Sequence, residues 1–211
     1  MQKTIIKDID QSTDEWQALR AGFITASRFK DVMAKGQGKT RTAYMYEIAA
    51  EIITGEPVEK YSNEHMEWGS QTEAQAIAMY EFENAVEGER IAFAHFDEKK
   101  IGCSPDLLVG NDGLAEFKCP KTATHIDTYL SGKMPSSHNA QVQGQMWVMD
   151  REWCDFVSFD PRINTEASYF SCRVYRDEEY IKNLSQECDR FLCDLGEMLQ
   201  KLSHKTNNEV F

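Results

Sequence analysis

Hydrophobic positions recur with two different spacings along this chain. Apolar residues at helical spacing predict helices over 14–20, 26–35, 41–54, 67–83, 124–130, 138–149 and 177–202. Alternating or short continuous apolar runs predict strands over 90–96, 101–109, 114–119, 152–159 and 168–175. This order of helices and strands predicts an α/β fold with a mixed central β-sheet flanked by helices.

The length of 211 residues predicts one domain with a substantial core. We expect an N-terminal helical part over 1–60, a central core over 65–175 and a C-terminal packing helix over 177–202. Ser12, with Glu15 three residues later, predicts a capping box at the start of the first helix. Tyr44, Ile48 and Ile52 fall on one stripe of the third helix, which predicts that all three are core residues.

Composition restricts the class of protein. The six cysteines include no CxxC pair and lie in apolar runs, which favours reduced thiols over a zinc site or a disulfide framework. No apolar run approaches the roughly 18 residues of a membrane span, so we expect a cytoplasmic protein without a membrane partner. The net charge of −12 disfavours non-specific coating of nucleic acid. It does not exclude a nucleic-acid-binding protein whose basic groups are concentrated in one channel.

Residues 101–120 predict a β-hairpin with charged side chains among its apolar positions. A three-residue loop over 111–113, with Gly113 left-handed, would pair Asp106 with Lys118 and put Glu116 diagonally on the same face. A loop of two or four residues would place Asp106 on the other face. In isolation, such a hairpin is also compatible with a solvated sheet face that carries an ion pair.

The more specific interpretation is the PD-(D/E)xK nuclease pattern, formed by Pro105-Asp106 and by Glu116, Phe117 and Lys118. The two carboxylates and the Phe117 carbonyl are oxygen ligands suited to Mg²⁺, which keeps water molecules for chemistry. Lys118 could orient or deprotonate the attacking water and stabilise charge on a phosphate. The sequence therefore predicts a metal-dependent phosphodiesterase site on this hairpin.

Two further side chains are candidates for the same site. Glu73 falls on the helical line of Ile77 and Tyr80, and a carboxylate on an apolar face is costly unless it is paired or metal-bound. It could equally be a residue at the edge of the helix. Gln141 lies near the start of its helix, where it could reach the site, although the amides of that helix otherwise suggest a solvated face.

An anion site is predicted at the junction of the first two helices. Arg20 ends one helix, and Ser27 lies in the first turn of the next, where free N–H groups favour an anion. The alternative is that Arg20 is a solvated charge and Ser27 an ordinary first-turn residue. Residues 36–41 form a basic loop that contains Lys39 and Arg41, and the loop lacks the spacing of a Walker motif.

Several short motifs in a fixed order carry a resemblance to a known family. They are Trp16, Leu19-Arg20, Gly22 and Ile24-Thr25-Ala26-Ser27; Trp68-Gly69, Gln71 and Glu73; Cys103-Ser104-Pro105-Asp106; Glu116 and Lys118-Cys119-Pro120; Ala140-Gln141-Val142-Gln143 and Met146-Trp147-Val148; and Asp160-Pro161-Arg162. Through these residues the chain resembles the lambda exonuclease and YqaJ-like viral recombinase family. The resemblance covers Trp16 to about Asp177.

The resemblance implies a PD-(D/E)xK restriction-endonuclease-like core with defined roles for five side chains. Asp106 and Glu116 would bind metal, with Glu73 as an additional acid there. Lys118 would be the catalytic lysine, and Gln141 would place the lysine or the water. The implied cofactor is Mg²⁺, two ions per active site, with Mn²⁺ as a plausible substitute.

The family also implies a way of binding DNA. Arg20 and Ser27 would hold the 5′-phosphate of the degraded strand, and Met66 aligns with an apolar residue thought to separate the duplex. His138 stands where the lambda member has Tyr, and Leu107 where it has Gly, so both are differences near the site. The basic loop also carries fewer basic residues here than in the lambda member.

The resulting hypothesis is a 5′ to 3′ exonuclease of linear double-stranded DNA, from a phage or prophage. It would leave 3′ single strands for an annealing protein and, by resemblance to the lambda member, form a ring-shaped homotrimer. Two alternatives are a restriction-type endonuclease on the same core and a non-catalytic scaffold that binds DNA ends. Cleavage of closed circular DNA would distinguish the first alternative, whereas the complete Asp, Glu and Lys set argues against the second.

Overall fold

A computed structural model describes residues 1–34, 39–58 and 64–208, with the side chains of all of these except 64–67, 69–71 and 204–208. Within these ranges the strands are β1 (Lys3–Ile6), β2 (Ile24–Thr25), β3 (Phe93–Phe96), β4 (Ile101–Cys103), β5 (Leu107–Val109), β6 (Gly113–Lys118), β7 (Trp153–Phe159) and β8 (Tyr169–Tyr175). The α-helices are α1 (Asp14–Arg20), α2 (Phe29–Val32), α3 (Lys39–Thr54), α4 (Glu64–Asn84), α5 (Thr122–Ser131), α6 (Asn139–Met149) and α7 (Glu178–Asn208).

The strands form two mixed four-stranded sheets. The first has the order β1-β3-β4-β2, and the second has the order β5-β6-β7-β8. Strands β6 and β7 are parallel, so the chain crosses over between them through α5 and α6. The predicted α/β class with flanking helices is confirmed, but the strands that were expected in one mixed central sheet are divided between two mixed sheets. Among the described residues, no helix combines the length and the apolar character needed to cross a membrane.

The predicted strand over 101–109 is interrupted in the structure. Ser104, Pro105 and Asp106 separate β4 in the first sheet from β5 in the second. Proline has no N–H to donate to a strand ladder, which is consistent with the break at this point. The interruption places Asp106 at the junction of the two sheets.

The hairpin of β5 and β6 has a three-residue loop that begins one residue earlier than predicted. Val109 pairs with Gly113, so the loop is 110–112. The left-handed position belongs to Gly110, with φ +56°, and Gly113 is a strand residue. Glycine adopts this conformation without the steric cost that a side chain would add.

This register corrects the predicted pairing on the hairpin. Continued toward the open end, it places Asp106 next to Glu116, with Lys118 further along the same face. The backbone N–H of Phe117 donates a hydrogen bond to Asp106 Oδ2 at 2.7 Å. The predicted pair of Asp106 and Lys118 is therefore wrong, but the shared face of the three charged side chains is correct.

The second sheet lies between two helices. One face packs against α4, which buries Ala76, Ile77 and Tyr80. The opposite face packs toward α6, which is buried along nearly its whole length. A Cβ atom at Gly144 would lie 2.2 Å from the Phe29 ring of α2, so only glycine allows α6 to lie this deep. Polar side chains of α6 that point at the sheet are therefore removed from water.

Several local predictions need correction. The N-cap of α1 is Thr13, whose hydroxyl accepts a hydrogen bond from the Trp16 N–H, and not Ser12. Ile52 is exposed, whereas Tyr44 and Ile48 are buried as predicted. Strands β1 and β2 were not predicted. The helix predicted over 26–35 corresponds to α2, which ends at Val32. The predicted cap at residue 36 lies outside the described residues.

Candidate active site

Glu116 is the centre of a buried hydrogen-bond network. Its side chain is fully buried on β6, facing α6. Oε1 accepts hydrogen bonds from Lys118 Nζ and, at 2.5 Å, from Gln141 Nε2. Oε2 accepts one from Gln145 Nε2 at 2.6 Å. Each carboxylate oxygen thus has a fixed partner, as a buried charged group requires.

Glu116 lies close enough to Asp106 and Glu73 to shift the pKa of each. Burial, followed by the negative charge of Glu116, raises the pKa of Asp106 well above its ordinary value. The same two causes raise the pKa of Glu73. We call Asp106, Glu116 and Glu73 the carboxylate cluster.

Lys118 provides positive charge within this cluster. Burial by itself lowers the pKa of the Lys118 ammonium, but the Glu116 and Asp106 carboxylates together raise it above its ordinary value. With all four groups ionised, three negative charges face one positive charge. This excess of negative charge and oxygen donors fits a divalent cation.

The donor set also limits how such an ion would be held. In the described part of the chain, no group of three acidic, histidine or cysteine side chains is arranged to hold a metal ion. A Mg²⁺ ion bound by one or two carboxylates keeps positions for water and for phosphate oxygens. The residues present therefore fit an open catalytic site better than a closed structural one.

A cavity of about 600 Å³ opens beside Lys118 and Glu73. His138, Phe156 and Ser158 form part of its wall. Burial, with the positive charge of Lys118, lowers the pKa of His138 to about 4, so its ring is neutral near pH 7. The structure thus places His138 at the site without giving it a charge there.

Arg20 lies in a separate cleft of about 30 Å³, which we call the arginine cleft. Its guanidinium stacks on the Trp16 ring at 3.8 Å, and its Nε is buried without a hydrogen-bond partner. Burial lowers the pKa of Arg20 to about 10. Glu51 also lines the cleft, but its carboxylate oxygens accept hydrogen bonds from the backbone N–H groups of Gly22 and Val58.

A second arginine in this cleft has a different environment. Arg28 stacks on Tyr44 at 4.2 Å and forms ion pairs with Glu47 and Asp31. None of the ion pairs found among the described residues involves Arg20. Arg20 is therefore the cation of this cleft with donor capacity left for an anion.

The other predicted DNA contacts are dispersed. Ser27 is exposed, and its Oγ lies 3.4 Å from Thr25 Oγ1, at the edge of the cleft. Lys39 is the exposed first residue of α3. Arg41 forms an ion pair with Asp194 of α7 at 2.7 Å. The side chain of Met66 lies outside the described part of the structure.

Sequence reasoning missed one polar side chain at the site and assigned no contacts to a second one that bonds to the carbonyl of Pro120, a residue of the cavity wall. Gln145 was grouped with solvated amides, yet it is buried and donates to Glu116. Its spacing of four residues from Gln141 was the available signal, because residues so spaced share a helix face. Arg162 was recognised only in a motif, yet it binds Asp160 through two nitrogens and stacks on Trp68 at 4.6 Å.

The comparison with family models defines the class of this protein. Residues 15–152 match the YqaJ-like viral recombinase domain. The chain belongs to this family, which confirms the predicted resemblance. No curated protein matches the chain.

Solved structures agree with this assignment. The chain is 38% identical to the alkaline exonuclease LHK-Exo from Laribacter hongkongensis, with a TM-score of 0.86 over 92% of this chain and 98% of that chain. The complex of LHK-Exo with dAMP gives the same identity and coverage and a TM-score of 0.87. A phage related exonuclease from Haemophilus somnus 129PT, at 15% identity, has a TM-score of 0.68 over 85% of this chain and 96% of that chain and supports the fold alone.

Proposed function

We propose that this chain is a Mg²⁺-dependent exonuclease that degrades one strand of linear duplex DNA from its 5′ end. The observation that carries the proposal is the carboxylate cluster beside an open cavity, with Lys118 hydrogen-bonded to Glu116. The similarity to an alkaline exonuclease over nearly the whole chain supports this class of reaction.

Asp106 and Glu116 would hold the metal, with the Phe117 carbonyl and Glu73 as further oxygen donors. When bound, Mg²⁺ supplies Lewis-acid activation of water and stabilises charge on the scissile phosphate. The raised pKa of Asp106 and of Glu73 reflects the burial and mutual repulsion of the carboxylates, which a cation relieves. Mn²⁺ has similar ligand preferences and is expected to substitute.

Lys118 would act on the attacking water or the phosphate. Its ammonium lies beside the cavity and has three N–H donors, of which Glu116 takes one. Gln141 and Gln145 bind opposite oxygens of Glu116 and therefore fix the orientation of its carboxylate. This arrangement supports pre-organisation of the site before DNA arrives.

Arg20 would bind the terminal 5′-phosphate. A buried guanidinium with an unpaired Nε is suited to a group that carries nearly two negative charges. Ser27 and the N–H groups that follow it would add neutral donors. A separate anion site near a metal site would give the enzyme a preference for one end of one strand.

The wider biological setting is part of the same proposal. The family is that of viral recombinases, which fits a phage or prophage enzyme in the host cytoplasm. A 3′ single strand left by 5′ to 3′ digestion would be the substrate of an annealing protein. A homotrimeric ring would retain the DNA during successive cleavage steps, and sedimentation should then give about three times the 24.2 kDa mass of one chain.

The proposal is tested by digestion of end-labelled linear duplex and covalently closed circles, with Mg²⁺ and with EDTA. We expect mononucleotides from the 5′-labelled strand, intact circles, and no product in EDTA. Cleavage of circles would support a restriction-type endonuclease on the same core. Binding of DNA ends without product under every metal condition would support a non-catalytic scaffold.

A further inference from the structure

Ser158 lines the cavity beside Lys118, and its hydroxyl is paired with His125 in a contact that the proposed mechanism does not use. Ser158 on β7 and His125 on α5 are both essentially buried, and Ser158 Oγ lies 2.8 Å from His125 Nδ1. The other ring nitrogen, Nε2, lies 2.7 Å from the carbonyl oxygen of Ala167, just before β8. Three separate elements of the fold therefore hold this pair in place.

The carbonyl of Ala167 determines the direction of both hydrogen bonds. A carbonyl oxygen only accepts, so the single N–H of a neutral imidazole must be at Nε2. Nδ1 is then an acceptor, and the Ser158 hydroxyl must donate its proton to it. With its proton committed to His125, the Ser158 oxygen presents lone pairs only.

The register of the sheet brings this acceptor to Lys118. Lys118 and Ser158 are direct partners on the parallel strands β6 and β7. Paired residues on adjacent strands project from the same face, and both residues line the same cavity. In the described part of the chain, Glu116 Oε1 is the one hydrogen-bond acceptor found for Lys118 Nζ, so its remaining N–H groups have capacity for a second.

We infer that Ser158, oriented by His125, is a positioning residue whose oxygen accepts a hydrogen bond from Lys118 Nζ during catalysis. This inference rests on the proposed function, in which Lys118 acts at the scissile phosphate. If Glu116 were the sole fixed partner of Lys118, the ammonium would lose its orientation whenever the Glu116 oxygens turned to another ligand. Ser158 holds the ammonium at the cavity independently of Glu116.

The direction of the hydrogen bonds is tested without catalysis, by ¹⁵N NMR of the imidazoles in the free protein. The chain has five histidines, and His125→Asn assigns the His125 signals by their loss. We expect Nε2 to be protonated and Nδ1 to be unprotonated. A proton on Nδ1 would make Ser158 the acceptor of that proton and would overturn the inference.

The positioning role is tested by steady-state digestion of 5′-phosphorylated linear duplex. Ser158→Ala should lower kcat about tenfold with KM for DNA ends nearly unchanged, because one hydrogen bond to a charged group is lost. Ser158→Thr keeps the hydroxyl and should restore kcat. His125→Gln, which has no acceptor at the Nδ1 position, should resemble Ser158→Ala, whereas His125→Asn can retain that acceptor and should lose less activity.

The control variant is Ser131→Ala on the same helix as His125. Ser131 is not among the residues that line the cavity, and its hydroxyl is bonded to the backbone carbonyls of Thr128 and Lys133, so kcat should be unchanged. A kcat of wild-type size for Ser158→Ala would reject the inference while leaving the proposed nuclease function intact. Loss of kcat in step with melting temperature, without rescue by Ser158→Thr, would reduce Ser158 to a packing role. Inactivity of the wild type itself would instead reject the proposed function.

Discussion

The carboxylate cluster and the arginine cleft are electrostatic opposites in one chain. In the cluster, the oxygens of Glu116 are bound by a lysine and two amides, yet negative charge is in excess. In the cleft, the Arg20 guanidinium stacks on Trp16, with one nitrogen buried and unpaired. Burial raises the pKa of Asp106 and lowers the pKa of Arg20, so each site disfavours its own charge in the free protein.

The two sites differ in the interactions that position their charged side chains. The cluster is fixed by hydrogen bonds from α6, so its geometry depends on many residues. The cleft places two arginines by aromatic stacking, but Arg28 is paired with carboxylates, so the specificity of the cleft depends mainly on Arg20. Under the proposed function, a metal ion would complete the first site and a terminal phosphate the second. Mutations should therefore abolish turnover at the cluster and change end preference at the cleft.

The largest expected effect is at Asp106. Asp106→Asn keeps an oxygen that can accept from the Phe117 N–H but removes a metal-binding charge. We expect turnover to fall by roughly 10³-fold or more, because metal catalysis supplies several kcal/mol. Initial rates on linear duplex at saturating Mg²⁺ measure this. Turnover close to that of the wild type would place the metal elsewhere.

The same variant has an expected effect on stability. Because folding raises the pKa of Asp106, ionisation of this carboxylate weakens the folded state as pH rises through the folded pKa. In metal-free buffer at pH 8, Asp106→Asn should therefore melt a few degrees above the wild type. The difference between the two melting temperatures should diminish toward acidic pH. A melting temperature of Asp106→Asn below that of the wild type at pH 8 would contradict an excess of negative charge in the carboxylate cluster.

Arg20 should determine end preference. Loss of one charge-assisted contact is worth about 1.5 to 3 kcal/mol, or roughly 10-fold to 150-fold in end engagement. Wild type should digest 5′-phosphorylated duplex faster than 5′-hydroxyl duplex, and Arg20→Ala should nearly erase that preference. Arg28→Ala is the matched control, because the Arg28 charge already pairs with Glu47 and Asp31. If Arg20→Ala keeps the full preference, the phosphate is bound elsewhere.

The two buried amides of α6 provide a smaller, paired test. Gln145→Met removes a donor to Glu116 and should lower kcat about tenfold, the cost of one hydrogen bond to a charged group. Gln143→Met removes bonds to the Tyr175 carbonyl and the Asp177 N–H. It should lower the free energy of unfolding by about 1 to 3 kcal/mol and leave kcat unchanged. Denaturant titrations and kinetics of both variants separate the two roles.

The effect expected at His138 is confined to pH-dependent stability and leaves turnover out of account. Folding lowers its pKa from 6.5 to about 4, so the neutral ring is favoured in the folded state. That contribution is fully present above about pH 6.5 and is lost as pH falls toward 4. The wild-type melting temperature should therefore fall more steeply than that of His138→Phe between these pH values. If the melting temperatures of the two proteins fell in parallel with pH, the lowered pKa of His138 would not be the cause.

Local sequence patterns were sufficient for most helices and for the shared face of the charged hairpin residues. The helices around Ile77 and Leu184 were predictable because apolar residues at helical spacing must share one face. The pattern of Asp106, Glu116 and Lys118 was visible because strand residues two apart project from the same side. Strand β2 was missed because its two residues pair with distant β4, and no local period marks a strand this short.

The sequence by itself determined which residue types could hold a metal and a phosphate, since carboxylate, amide and guanidinium chemistry is fixed by residue type. Tertiary structure alone decided which of them are buried together. Gln145 donates to Glu116 because α6 packs closely against the second sheet, and Ser158 adjoins Lys118 because β6 and β7 pair in parallel register. These contacts join residues far apart in the chain, and burial, not local spacing, gives them their strength.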